Sequence, residues 1–188
     1  MDTRETLVAA ALKILEREGV AQFSTRAVCA IANVTAPTLY HHFGSADGLL
    51  SAAVAEAFKQ FLETKRLAKQ SSDPAIALRQ GWDNYVHFAA ERPRLYAAMI
   101  GRVLLGATIP AADEARALHN EHIKAIAAQG RLAMPARAAA HLTWASAHAA
   151  AMLFVTAQRQ PPNRAVIDGL RDHAMRVVFK ESGKEKRA

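Results

Sequence analysis

F-S-T-R-A-V-C-A-I-A-N-V-T-A-P-T-L-Y-H-H-F-G-S-A-D-G-L-L, from Phe23 to Leu50, is the stretch that decides the fold. Ser24 stands where a helix N-cap belongs, because its hydroxyl can accept a first-turn amide. A short helix is expected from there through Ala32, with Ala27, Val28 and Ile31 as its inner face. Asn33 then falls at a sharp turn, and asparagine, after glycine, tolerates the left-handed backbone such a turn needs. Val34 is placed to plug the angle between two helices. Thr35 is expected to cap the second helix, and Pro37 fits its first turn, where an amide has no intrahelical partner. Phe43 and Gly44 should end that helix soon after His42. Two short helices across a tight turn, the second polar near its start, spell a DNA-reading helix-turn-helix.

Outward from this stretch the chain reads as helix throughout. Leu7, Ala11, Ile14 and Leu15 share one face of a first helix, opened by an Asp2/Glu5 capping box and stopped at Gly19. Asp73-Pro74, Pro93, Pro110, Gly130, Pro135 and Pro161-Pro162 punctuate the remainder. No period-two alternation appears. The expectation is an all-α protein of about nine helices, three short ones in front and longer ones behind. The divisions read as 1–48, a helix-turn-helix domain; 49–182, a helical effector-binding and dimerisation domain; and 183–188, a frayed tail.

Charge complicates a simple electrostatic reading. The net charge is +7, yet residues 1–48 hold four basic and five acidic side chains. The head is therefore net negative, and the basic excess is a solvated surface elsewhere. A single cysteine, Cys29, excludes a disulfide framework and a multi-cysteine zinc site, and fits a reducing cytoplasm. The opening M-D-T-R-E-T has no apolar run, so no signal peptide is expected. Ala138 to Gln158 carries no formal charge and is long enough to span a bilayer. Its alanines and its polar His141, Thr143, Ser146, His148 and Thr156 favour a buried or interfacial helix, and no membrane partner is expected.

The spaced pattern T-R-A-V-C-A…V-T-A-P-T-L-Y-H-H-F-G-S-A-D-G-L-L resembles the DNA-binding domain of the TetR family, with likeness from Thr3 to about Leu50. A weaker likeness, Y-V-H-F-A-A-E-R-P-R-L-Y from Tyr85 to Tyr96, is similar to a stretch in many C-terminal domains of that family. The resemblance implies a homodimer on a palindromic operator in double-stranded DNA, with repression as the default outcome. It implies phosphate contacts for Thr25, Thr38, Tyr40 and His42, and a base contact for Arg26. Ala36 and His41 fall on outward positions of the reading helix, with Thr35 and Pro37 at its start. Two positions depart from the pattern: Asn33 stands for the usual glycine, and Ala46 for a lysine common at the start of the fourth helix.

In the C-terminal half, Leu78, Trp82, Tyr85 and Ala89 form one stripe, and His141, Trp144, His148, Met152 and Val155 another. In the family such helices enclose an effector pocket, so Trp82, Tyr85, Met99, Trp144, His148 and Met152 are the expected ligand-binding residues. Aromatic and thioether side chains suit a small, largely apolar effector. A plain helical core explains the same residues. Ala138, Ala145 and Ala149 permit close helix approach, and Leu142, Leu153, Leu170, Val177, Val178 and Phe179 supply apolar area for pairing with a second copy. The last helix is expected over 164–182.

No glycine-rich phosphate loop or nucleophile elbow is present, so no catalytic residues are expected. His119/His122 and His141/His148 each offer only two ligands, so neither a metal nor a cofactor is expected. The alternative reading is a helical protein-interaction module that has lost sequence-specific DNA binding, for which Ala46 and the acidic head are mild support.

Overall fold

Local capping chemistry sets the first helices of the computed structural model, which describes residues 2–67, 71–157 and 160–180. Helix α1, Thr3–Arg17, opens on a full capping box: the Asp2 side chain accepts from the Glu5 amide at 2.7 Å, and Glu5 accepts from the Asp2 amide at 3.0 Å. Gly19, at φ 79°, ends it, and a 3₁₀ turn at Val20–Gln22 follows. Helices α2 (Thr25–Ala32) and α3 (Ala36–Phe43) come next. They lead to α4 (Ala46–Leu67), α5 (Pro74–Glu91), α6 (Pro93–Leu104), α7 (Pro110–Ala128), α8 (Ala136–Thr156) and α9 (Arg164–Val178).

Nine α-helices and no strand are found among the described residues, as the sequence predicts. Only α2 and α3 are short, at eight residues each; α1 has fifteen, because its apolar face runs four turns. Helix α9 stops at Val178, where Phe179 turns extended and Leu132 and Phe179 form an isolated antiparallel bridge. The far end of the expected last helix and the 183–188 tail lie outside the described residues.

The chain divides into two compact units. The first is Met1–Leu67 with Glu91–Glu114, where α1 packs against α2, α4 and α6. Its buried side chains include Leu7, Ile14, Leu15, Val28, Leu39, Leu49, Leu95 and Tyr96. The second is Ala68–Ala90 with Ala115–Ala188, where α8 packs along α9. Its core joins Leu78, Trp82 and Val86 of α5 to Ile123 and Ile126 of α7, Ala139, Ala147 and Ala150 of α8, and Met175 and Val178 of α9. Burial of this apolar surface, at ~25 cal/mol per Å², is the main force holding each unit. Packing thus groups α4 and α6 with the head helices.

Helix α8 is long and apolar enough, by length and composition, to cross a membrane. One face, Ala139, Ala140, Thr143, Ala147, Ala150 and Ala151, is buried. Thr143 sits there at no polar cost: its hydroxyl donates to the Ala139 carbonyl at 2.8 Å, and His119 Nε2 lies 3.1 Å from the Thr143 hydroxyl oxygen. The other face is exposed and carries Trp144, Ala145, Ala149 and Leu153.

Candidate nucleic-acid interface

The turn between α2 and α3 is built as the sequence predicts. Ser24 Oγ accepts from the Ala27 amide at 3.2 Å, fixing where α2 begins. Asn33 takes the left-handed conformation, φ 54° and ψ 48°, and it is the only non-glycine residue with positive φ among those described. The amides of Asn33 and Val34 both close back on the Cys29 carbonyl, the latter at 3.2 Å. This ties off the C-terminus of α2 and redirects the chain.

Two local expectations need correction. Ile31 is not part of the inner face of α2: it is 46% exposed, and only Val28 of that helix is buried. With eight residues, α2 presents a stripe only about one side chain wide, and Ile31 falls off it. Thr35 does not cap α3 with its side chain; its hydroxyl lies 2.9 Å from that of Thr38 instead. The first-turn amides of α3 are left without a side-chain acceptor, which is the state in which a helix start can receive a phosphate oxygen.

Helix α3 divides into two faces. Leu39 is fully buried and anchors it, while Thr35, Ala36, Pro37, Tyr40, His41 and His42 are exposed. Thr25 and Thr38 are half-buried beside them, and Arg26 is exposed at the start of α2. The Arg26 guanidinium forms no ion pair, and the Tyr40 hydroxyl no hydrogen bond, with any described residue. The rings of His41 and His42 meet edge to face, 5.5 Å between centroids. The exposed surface is thus hydroxyls, imidazoles and one guanidinium, a donor-rich set with a single full cation.

Three supports behind this surface escaped the sequence reading. The Arg4 guanidinium of α1 sits over the Phe43 ring, 5.3 Å from its centroid, holding the last turn of α3 to α1. Gly48 lets α4 approach the end of α3: a Cβ there would lie 2.2 Å from the Phe43 carbonyl oxygen, which no other residue can accommodate. Arg102 of α6 grips the first turn of α4, with Nη1 2.6 Å from Asp47 Oδ1, Nη2 3.0 Å from Oδ2, and a further bond to Ser51 Oγ. The Arg102 hydrogen bond holds the Asp47 carboxyl below the usual carboxylate range. Arg102 Nε is buried without a partner among the described residues. Gly48 was legible as an oddity inside a helix start; nothing in the sequence pairs residues 47 and 102.

The expected ligand-binding residues are dispersed. Met99 is buried in the first unit, on α6. Trp82 is buried in the core of the second unit, where its indole N–H donates to Ser146 Oγ at 2.9 Å. Tyr85 is half-buried against the same core. Trp144 is 43% exposed and stacks on His148, ring centroids 5.2 Å apart and 5° from parallel, with Met152 half-buried one turn further on. The α8 stripe therefore does not face the core, whose α8 face is made of small residues. Desolvation lowers the His148 pKa below the usual histidine value.

Beside Trp82 lies a cleft of about 600 Å³ within the second unit, walled by Val86, Phe154 and Ile167 and edged by Asp83, His87 and Arg171. Arg171 is fixed there by Asp83 at 2.9 Å, Asp168 at 3.0 Å and Asp172 at 3.0 Å. No group of three or more His, Cys, Asp or Glu side chains suited to a metal occurs among the described residues.

Three helices that bury one face of a helix-turn-helix and leave the other exposed have the form of a DNA-binding head. Residues 7–53 match the family model of bacterial regulatory proteins, tetR family. A relative from Haemophilus influenzae, described as an uncharacterized HTH-type transcriptional regulator, is 30% identical over 95 residues, half of this chain and 51% of the relative. The match thus spans about half the length of that protein. A TetR-family regulator from Pectobacterium atrosepticum is 25% identical, covers 92% of this chain and 88% of its own, and superposes with a TM-score of 0.66. RolR, solved in complex with resorcinol, is 19% identical, covers 94% and 87%, and has a TM-score of 0.68. Residues 7–53 are thus a tetR-family DNA-binding domain, and the chain is similar over most of its length to TetR-family regulators of the same fold.

Proposed function

We propose that this chain is a ligand-responsive transcriptional regulator that acts as a repressor. It binds a palindromic operator as a homodimer and is released by a small, largely apolar effector. The observation that carries the reading is the state of Arg26 and Tyr40. Both stand exposed and unengaged on a helix-turn-helix whose opposite face, through Val28 and Leu39, is fully buried. Arg26 is assigned to a base edge, where a bidentate guanine contact is worth ~1–3 kcal/mol of discrimination. Thr25, Thr38, Tyr40, His42 and the open amides of α3 are assigned to phosphates; Ala36 and His41 face bases, with Thr35 and Pro37 shaping the helix start.

One short reading helix contacts too few base pairs for specificity, so a second copy is needed. The exposed apolar side chains of α8 and α9, Trp144, Leu153, Val166 and Val177, together with Ala138, Ala145 and Ala149, supply a face for it. Effector binding is assigned to the second unit beside Trp82, where a cleft of about 600 Å³ has the size and mixed lining of a small-molecule site. RolR, of the same fold, was solved with a small phenol. Regulation of this kind places the chain in the bacterial cytoplasm, with residues 1–48 as the DNA-contacting part.

The test is selection from a pool of random duplexes by the full chain. Enrichment of an inverted repeat, lost in Arg26→Ala, supports the regulator; no enrichment supports the interaction-module reading. Compounds that raise the melting temperature are then titrated with and without the selected duplex. Linkage requires DNA to weaken effector binding by the factor by which effector weakens DNA binding, so indifference to DNA refutes the coupling.

A further inference from the structure

A second concavity in the second unit has a different chemistry from the cleft beside Trp82. It is a groove of about 390 Å³ between the first turns of α5, the α7–α8 connection and the end of α9. Its floor is apolar: Ala75 and Met175 are buried there, Phe179 is half-buried, and Ile76 is 50% exposed on its wall. Its rim carries four cations, Arg79, Arg131, Arg176 and Lys180, against one carboxylate, Asp172.

The cations are not equivalent. Arg79 Nη2 is held by Asp172 Oδ1 at 2.7 Å, and Arg131 Nη1 by both oxygens of Asp73 at 2.9 and 3.1 Å. Each pair occupies one terminal nitrogen and leaves the rest of a pre-oriented guanidinium fork. Arg176 and Lys180 form no ion pair with any described residue. Backbone pairing sets Lys180 beside Arg131: the Lys180 amide donates to the Arg131 carbonyl at 2.9 Å, and Ala133 to Val178 at 2.9 Å. Two neutralised guanidiniums and two uncompensated cations therefore ring an apolar floor. Like charges gathered at the edge of a desolvated surface repel one another, and an anion placed among them reverses that cost.

We propose that this groove binds a small amphipathic organic anion, a carboxylate or sulfonate on an aliphatic or aromatic body. The apolar body lies over Ile76, Met175 and Phe179, and the anionic head is held by Arg176 and Lys180 with Arg79 and Arg131 behind them. The site is separate from the effector cleft beside Trp82, shares no lining residue with it, and does not depend on DNA binding.

Decanoate serves as the probe, titrated calorimetrically into the full chain, with decyltrimethylammonium as the cationic counterpart. Decanoate is expected to bind at one per chain and the ammonium not at all. Arg176 and Lys180 are exposed, so the Arg176→Gln/Lys180→Gln variant keeps its melting temperature and loses at least tenfold in decanoate affinity. Ile76→Glu, also at an exposed position, abolishes binding without unfolding the chain. Decanoate affinity unchanged in both variants, or equal binding of the cationic analogue, overturns the proposal.

Discussion

The two units solve opposite problems with similar helices. In the head, short helices are fixed by local devices: an Asp2/Glu5 capping box, a Ser24 cap, a left-handed Asn33 and a glycine at 48. Their function needs a polar face left unsatisfied. In the second unit, longer helices are fixed by a shared core, and α8 spends a whole face of alanine and threonine on packing while its Trp144 stands exposed. Where geometry is local, residue types reveal roles. Where it is tertiary, they do not.

The sharpest break of this contrast is Gly48→Ala. A methyl 2.2 Å from the Phe43 carbonyl must push α4 from α3, so the head should lose about 1–3 kcal/mol of stability, as overpacking does, and lose DNA binding. Chemical denaturation and duplex titration check both. An alanine there that keeps full DNA affinity shows that the α3–α4 junction is not set by this contact. Gly169→Ala, in α9 with open space around its Cα, is the matched control and should leave melting unchanged or raised.

Next in size is Arg102→Gln. It removes the grip of α6 on Asp47 and Ser51, so DNA affinity should fall several-fold with little change in melting, because Asp47 is solvent-exposed. The contact is a positioning one: the salt slope of binding should stay that of the native chain. The Asp47 carboxyl is held below its usual range, so this link is present above the ordinary carboxylate pKa and is lost only as pH falls through the lowered value. A loss of DNA affinity setting in already near neutral pH cannot come from it.

Ala46→Lys probes the electrostatic side of the head. With the head net negative and Arg26 as the exposed cation of α2 and α3, the native salt slope should be shallow. Each added lysine that reaches a phosphate should steepen it by about 0.9. A native slope matching ten or so cation–phosphate contacts per dimer contradicts the neutral-donor account.

The smallest effect belongs to His148. Its folded pKa is lowered by desolvation, so the unfolded chain takes up the proton first, and stability falls as pH drops below about 6.5. His148→Gln should flatten that part of the melting curve; an unchanged pH dependence removes His148 from the account.

Reading the sequence reached furthest in the head. Ser24, Asn33 and Gly44 act within a few residues of themselves, so the turn, the exposed face of α3 and the family were all legible. Ile31 and Thr35 were misjudged because an eight-residue helix gives too few positions to define a stripe, and because Thr38 competes for the Thr35 hydroxyl. The link between Arg102 and Asp47 spans 55 residues and left no trace in spacing. In the body, Trp82 and Trp144 look alike in sequence. One is buried at 4% and bonded to Ser146; the other is 43% exposed on His148. Only the choice of which α8 face meets the core separates them, and helical periodicity in an alanine-rich run is nearly symmetric in that choice.

The central claim is that Arg26 reads a base while its neighbours hold phosphates, and it is tested most directly at single-base resolution. Wild type, Arg26→Ala and Tyr40→Phe are each titrated against the selected inverted repeat and against every single-base variant of one half-site. Arg26→Ala should lose roughly 1–3 kcal/mol on the parent duplex and become indifferent at one base pair per half-site, while Tyr40→Phe weakens binding to all duplexes alike. An equal loss by Arg26→Ala on the parent sequence and on random DNA would contradict the account.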